Sequence, residues 1–437
     1  MDSTAAAQWE AGTDRPAFNP MIVIGALFFI FGFITWVSAV LIPYLQIACE
    51  LNNFQSYLVA FAFYISYFVM AIPSGRLLKL TGYKKGISIG LLLVAFGSLV
   101  FIPAALQRQY SLFLTGLFVQ GAGLTLLQTA ANPYVTILGP IESGARRMSM
   151  MGICNGVAGI LAPIILGSVI LEHADDLELQ MKGMAVEAKQ AALNQLAAKV
   201  ILPYLIITAI LVLLAVFIGQ LKLPEPDPAI TDEPVSADRE EATGIWQFPH
   251  LLIGAGVLFL YVGVEVIAGN TIVRYASWQH IPLSSAKFFS SLTLTGMLIG
   301  YLIGIVCIPR WVSQRNALRY CAIVGIAFVC CALFTNGTVS VVFVALLGLS
   351  NSLMFPAIWP LAIDGLGKFT KAGSALLVMA ISGGAILPLA YGWLADHFDP
   401  RHAYILVIPC YAAIGYYALA GYRVGRKKPP RKAASYM

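Results

Sequence analysis

Charge is scarce in this 437-residue chain, in which only 11% of residues are Asp, Glu, Lys or Arg. Soluble domains carry about 25% charged residues, so a soluble fold is excluded. The chain also lacks a GxxxxGK[ST] phosphate-binding loop and a TVGYG-like filter, which argues against an ATP-driven pump and a potassium channel. Its seven cysteines lie in or beside apolar runs without metal-ligand spacing, and no catalytic cluster is found. We therefore expect neither an enzyme nor a bound cofactor.

Long apolar runs make up most of the chain, which is 59% hydrophobic. The first, Met21 to Ile47, has no charged residue. With a rise of about 1.5 Å per helical residue, it spans the roughly 30 Å hydrocarbon core of a bilayer. Similar windows recur to the end of the chain, near residues 21–47, 54–75, 86–106, 111–138, 148–171, 200–221, 249–273, 286–308, 317–335, 338–363, 372–394 and 403–422. The sequence predicts an all-α integral membrane protein with twelve transmembrane helices.

Basic residues are distributed unequally between alternate loops. If both termini are cytoplasmic, all but seven of the 27 Lys and Arg residues fall on the cytoplasmic side. The seven on the outer side are Arg108, Lys182, Lys189, Lys199, Arg274, Lys287 and Arg401. The positive-inside rule therefore predicts cytoplasmic termini. The net charge of +6 is explained by these loops, so we expect no nucleic-acid partner.

The spans divide into two halves of six. Residues 222–247 are rich in proline and acidic residues, which is typical of a linker with little fixed structure. A shift of 225 residues aligns Gly123, Gly159, Pro163 and Gly167 with Gly348, Gly384, Pro388 and Gly392. Matched interruptions are typical of a duplicated transporter. We predict two pseudo-symmetric six-helix bundles in the order cytoplasmic tail 1–20, bundle 21–221, linker 222–247, bundle 248–423 and basic cytoplasmic tail 424–437, with a short surface helix within 172–199.

Glu265 is the acidic residue that the sequence places deep within a span. A carboxylate at that depth costs at least a few kcal/mol unless it is protonated, paired or hydrated. Either it faces a cavity, as a proton- or cation-linked group or a sugar-hydroxyl acceptor, or it is a structural carboxyl bonded to a neighbouring helix.

Uncharged amides and two tryptophans are the other candidates. Gln128 and Asn132 stand four residues apart and so share one helical face. Amides suit polyhydroxyl ligands because they both donate and accept hydrogen bonds, although they also join helices. The full set of candidate substrate-binding residues is Trp36, Gln128, Asn132, Asn155, Glu265, Asn270, Asn351 and Trp359.

Several segments resemble the major facilitator superfamily, and within it the fucose permease and glucose/galactose transporter family. Gly75 to Lys85 matches part of the superfamily's loop signature between spans 2 and 3, with Lys79 where Asp is usual. The closer resemblance lies in Leu51–Gln55, Ala130–Tyr134, Leu138–Pro140, Tyr261–Glu265 and Ser382–Ile386.

The resemblance implies the major facilitator fold and monosaccharide transport, typically with protons. Its fucose members carry two acids at the positions of Ala39 and Gln128, so proton coupling here would depend on Glu265, which matches the acid of the glucose/galactose branch. We expect a monomeric importer of a hexose, deoxyhexose or N-acetylhexosamine, with the proton as co-substrate. The alternatives are an uncoupled uniporter, a sodium-coupled transporter, a drug exporter or a sugar-sensing receptor.

The topology is testable by cysteine accessibility. In a background lacking the native cysteines, a cysteine near residue 235 should be labelled only from the cytoplasmic side, because the predicted linker lies there. Labelling from outside would overturn the predicted orientation.

Overall fold

The computed structural model describes residues 20–137, 144–170, 184–220 and 244–425. In that part of the chain, twelve helices are long and apolar enough to cross a membrane, which confirms the predicted number. Spans 1 to 12 are Met21–Ala48, Phe54–Leu78, Lys84–Leu106, Tyr110–Asn132, Arg146–Ile170, Val186–Gln220, Pro249–Asn270, Leu283–Cys307, Gln314–Phe334, Gly337–Ile363, Ala372–His397 and His402–Leu419. Both predicted tails, except for their innermost residues, and most of the linker lie outside the described residues.

The individual helices do not coincide with the spans. Their bounds are Pro20–Trp36, Ser38–Ala48, Asn53–Leu106, Tyr110–Ile137, Gly144–Ile170, Val186–Ala198, Ile201–Gln220, Pro249–Asn270, Ile272–Trp278, Leu283–Cys307, Gln314–Phe334, Gly337–Asn351, Met354–Ile363, Thr370–Ala380, Gly383–His397 and Val407–Leu419. Asn53–Leu106 covers spans 2 and 3, and Gly82 reverses the chain between them with a φ of 76°, which favours glycine. Val186–Ala198 is the predicted surface helix.

Spans 1, 6, 10 and 11 contain two helices each, and span 7 is followed by a short helix, Ile272–Trp278. Span 1 breaks at Val37, and the break after span 7 lies at Thr271. A break frees backbone groups that the hydrocarbon core cannot hydrate. At the break after span 7, the Ser290 hydroxyl donates to the Gly269 carbonyl at 2.9 Å. The Ile267 carbonyl keeps its bond from the Thr271 backbone N–H at 3.0 Å and also accepts from the Thr271 hydroxyl at 2.7 Å. A side chain of a neighbouring span therefore satisfies the Gly269 carbonyl.

Glycines allow close approach of aromatic rings at equivalent places in the two halves. A Cβ at Gly159 in span 5 would lie 2.5 Å from Trp36 Cδ1, and a Cβ at Gly384 in span 11 would lie 2.8 Å from Tyr64 Cδ1. The 225-residue repeat pairs these two glycines. Spans 5 and 11 thus use the same device, small residues that admit a large neighbour, to bring helices together.

The outer ends of spans 2 and 11 close the bundle on the side predicted to be extracellular. The backbone N–H of Phe54 donates to a carboxylate oxygen of Asp396 at 2.9 Å. Tyr57 packs edge-on against Tyr391 with ring centroids 5.9 Å apart. The carboxylate of one half therefore bonds to the helix N-terminus of the other, where the helix dipole favours negative charge.

We expect Asp396→Asn to favour opening on the outer side. Loss of the charge at a helix N-terminus costs about 0.3–1 kcal/mol, which changes the ratio of open to closed molecules by roughly two- to five-fold. Spin labels on Ser111→Cys and Ser285→Cys, in a background lacking the native cysteines, would report the distance between the outer ends of the two halves.

Asp399→Asn is the matched control. Its carboxylate accepts backbone N–H bonds from Arg401 and His402, within the second half alone. The control should leave the distance distribution unchanged. An equal lengthening in both variants, or none in Asp396→Asn, would contradict a closing role for Asp396.

Candidate functional site

A cavity of about 110 Å³ lies between the two halves. Spans 1, 2, 4 and 5 line it from the first half, and spans 7, 8, 10 and 11 from the second. Five of the eight predicted site residues lie in its wall, and they are Trp36, Gln128, Asn132, Asn155 and Glu265. Both halves therefore contribute polar groups to one central site.

The first half supplies the amides. Gln128 and Asn132 face the cavity together, as their spacing on span 4 predicts. The Gln128 side-chain nitrogen donates to the Tyr67 hydroxyl at 2.9 Å. The Trp36 indole nitrogen donates to the Asn155 side-chain oxygen at 3.3 Å. Two of the three amides are thus oriented by an aromatic neighbour.

Glu265 is the carboxylate that the second half places in the cavity wall. Three tyrosines, Tyr64, Tyr261 and Tyr301, line the same cavity. The buried Tyr261 hydroxyl, one turn earlier on span 7, has no hydrogen-bond partner among the described residues. Within the described residues, Glu265 forms no ion pair, and the cavity wall contains no Lys, Arg or His. The site therefore suits a neutral or cationic ligand better than an anion.

The sequence analysis missed the tyrosines of the cavity wall. Tyr64 and Tyr67 stand three apart on span 2 and stack with ring centroids 6.1 Å apart. Tyr261 precedes Glu265 by four residues, so the two share a helical face. The sequence feature that could have identified these residues is the spacing of tyrosines by three or four residues, deep within apolar spans.

Three predicted residues do not line the cavity. Asn270 is buried at the C-terminal end of span 7. Asn351 accepts a hydrogen bond from the Tyr411 hydroxyl at 2.6 Å, within the packing of the second half. Trp359 is fully buried and stacks on Phe355 at 5.5 Å, so Phe355 is the aromatic residue of span 10 that faces the cavity. The structure thus places these three in helix packing, because the rotation of each helix turns them away from the cavity.

The arrangement can bind and enclose a small polar molecule. Tyrosine and phenylalanine rings provide flat apolar surfaces, and the amides and the carboxylate provide hydrogen bonds. No group of three His, Cys, Asp or Glu side chains among the described residues could hold a metal ion.

Comparisons with known proteins agree with this architecture. The Major Facilitator Superfamily model matches residues 24–387. The chain is 39% identical to a glucose/galactose transporter of Brucella abortus biovar 1 over 398 residues, covering 90% of this chain and 92% of the relative. It is 33% identical to the L-fucose-proton symporter of Escherichia coli K12, with 89% of each chain covered.

Solved structures give the same fold. A crystal structure of the major facilitator transporter FucP in the outward conformation superposes with a TM-score of 0.71 at 32% identity, covering 94% of this chain and 99% of that one. The helix count, the central cavity, the family match and these relatives agree on one conclusion. The chain belongs to the Major Facilitator Superfamily and is a multi-pass membrane transporter, not an enzyme.

Proposed function

We propose that this protein imports a neutral monosaccharide by alternating access, together with a proton carried by Glu265. The substrate class is a hexose, a deoxyhexose or an N-acetylhexosamine. The protein would lie in a bacterial inner membrane with both termini in the cytoplasm. The observation that carries the proposal is the cavity itself, in which three amides of one half lie opposite one carboxylate of the other.

The chemistry of the wall supports a sugar. Amides and carboxylates suit a ligand with many hydroxyls, and the absence of basic side chains among the described lining residues disfavours a sugar phosphate. The relatives are named for glucose, galactose and fucose.

The isolation of Glu265 supports proton coupling. Glu265 is half-buried among aromatic and apolar side chains, which disfavours a charged carboxylate, and the described cavity wall brings no positive charge to offset that cost. Such a group can take up a proton on one side of the membrane and release it where water enters. One relative is named as a proton symporter. Sodium coupling and uncoupled uniport are the alternatives.

Uptake of radiolabelled sugars into proteoliposomes tests the function. In a panel of glucose, galactose, fucose, mannose and N-acetylglucosamine, at least one labelled sugar should be transported. An excess of the same sugar without label should inhibit that uptake. Binding without flux would favour a receptor, and no response to any sugar would overturn the proposal.

The amides provide a second test. Gln128→Ala and Asn155→Ala should each weaken sugar binding, because loss of a buried hydrogen bond typically costs about 1–3 kcal/mol, or roughly one to two decades in affinity. Equilibrium binding of the labelled sugar to purified protein measures the change, with expression level and thermal stability as controls. Unchanged affinity in both variants would mean that the amides only join helices.

Glu265→Gln tests the coupling. The variant cannot exchange a proton, so it should lose sugar accumulation driven by a pH gradient with the acid side outside. It should still exchange labelled for unlabelled sugar, because counterflow requires no net proton movement. Glu50→Gln is the matched control, since Glu50 lies outside the cavity and pairs with Lys189 at the outer surface.

Two results would contradict proton coupling through Glu265. Wild-type protein that never concentrates sugar under any pH gradient would be a uniporter, or a sodium symporter if a sodium gradient drives accumulation. Glu265→Gln protein that still concentrates sugar under a pH gradient would assign the proton to another group.

A further inference from the structure

Trp36 occupies an unusual place in the cavity wall. It is the last residue of the first helix of span 1, immediately before the break at Val37. Its side chain is only 3% exposed, yet it lines the cavity beside Asn155. Trp36 therefore belongs both to the cavity wall and to the packing of the helices.

Two glycines, one from each half, hold the indole ring in place. A Cβ at Gly159 in span 5 would lie 2.5 Å from Trp36 Cδ1, and a Cβ at Gly269 in span 7 would lie 2.2 Å from Cζ3. Either contact is too short for any residue larger than glycine without movement of the ring. The direction of the indole N–H is consequently set by backbone packing on both sides.

The hydrogen bond from Trp36 determines which end of the Asn155 amide faces the ligand. An indole nitrogen can only donate, so its partner in Asn155 must be the side-chain oxygen, at 3.3 Å. The amide nitrogen of Asn155 then points away from the indole. Asn155 is partly exposed in the cavity wall, and its amide nitrogen has no hydrogen-bond partner among the described residues.

We propose that Trp36 is a positioning residue that makes Asn155 a hydrogen-bond donor toward the substrate. The Asn155 amide nitrogen then donates a hydrogen bond to the lone pairs of one sugar oxygen. The Glu265 carboxylate, when ionised, can only accept hydrogen bonds from sugar hydroxyls. The site distinguishes the direction of a hydrogen bond as well as the position of a hydroxyl. This inference rests on the proposed sugar transport. It adds that Trp36 determines which partner donates in the hydrogen bond between Asn155 and the sugar.

A substrate scan gives a readout that a purely structural role would not move. D-galactose, its monodeoxy analogues and its deoxyfluoro analogues are compared for binding to the purified full-length protein. At the hydroxyl position that Asn155 contacts, the deoxyfluoro analogue retains a weak hydrogen-bond acceptor. It should therefore bind more tightly than the deoxy analogue, which has only hydrogen there. Trp36→Phe keeps a flat ring between the two glycines but removes the N–H, so the Asn155 amide can rotate. The preference for fluorine over hydrogen at that position should then disappear.

A double-mutant cycle tests whether Trp36 acts through Asn155. Trp36→Phe should weaken galactose binding about three- to ten-fold, the usual range for one neutral hydrogen bond. In an Asn155→Ala background the same change should have no further effect beyond about two-fold. Trp393→Phe, at a half-exposed indole on span 11 outside the cavity wall, is the matched control and should bind as the wild type does.

The outcomes separate this inference from the function on which it rests. Wild-type protein that binds none of the sugars of the uptake panel would overturn both. Wild-type protein that binds galactose, with Trp36→Phe and Asn155→Ala effects that multiply independently, would overturn only the positioning role. So would Trp36→Phe protein that keeps the fluorine preference.

Thermal unfolding of each variant shows whether the fold is retained. If the Trp36→Phe protein unfolds at a lower temperature than the wild type, Asn155→Asp gives the same test. Asp can still accept from the indole but, when ionised, cannot donate, so it should also lose the fluorine preference.

Discussion

The absence of water from the hydrocarbon core is the constraint on which the rest of this structure depends. Every backbone N–H and C=O at that depth must bond within the protein, which leaves helices as the spanning elements. Where helices break, the freed groups need other partners, and at the break after span 7 the hydroxyl of Ser290 provides one for the Gly269 carbonyl. For the same reason polar side chains lie in the central cavity, since their exposure to lipid would cost free energy.

Partners within the wall also orient two of the amides of the cavity. Gln128 bonds to Tyr67 and Asn155 bonds to Trp36, so each amide presents a defined face to the ligand. The first half supplies these amides and the second supplies Glu265. A ligand that contacts both walls interacts differently with each arrangement of the halves, and such differential contact is what allows binding to shift a conformational equilibrium.

Close packing between helices depends on small residues at matched positions. Gly159 admits Trp36 and Gly384 admits Tyr64, at places that the 225-residue repeat makes equivalent. Trp36 is also part of the cavity wall and bonds to Asn155, which links the packing of the helices to the chemistry of the site.

The sequence by itself determined the number of spans, their approximate bounds and the depth of Glu265, because hydropathy and helical rise are local quantities. It also placed Gln128 and Asn132 on one face, since a spacing of four is fixed by helix geometry. Only the tertiary structure decided that Asn270, Asn351 and Trp359 lie in helix packing and that Phe355 and four tyrosines line the cavity. The direction in which a side chain points across the bundle depends on the rotation of its helix and on breaks such as the one at Thr271. Contacts between distant segments set both of these, and no local pattern records them.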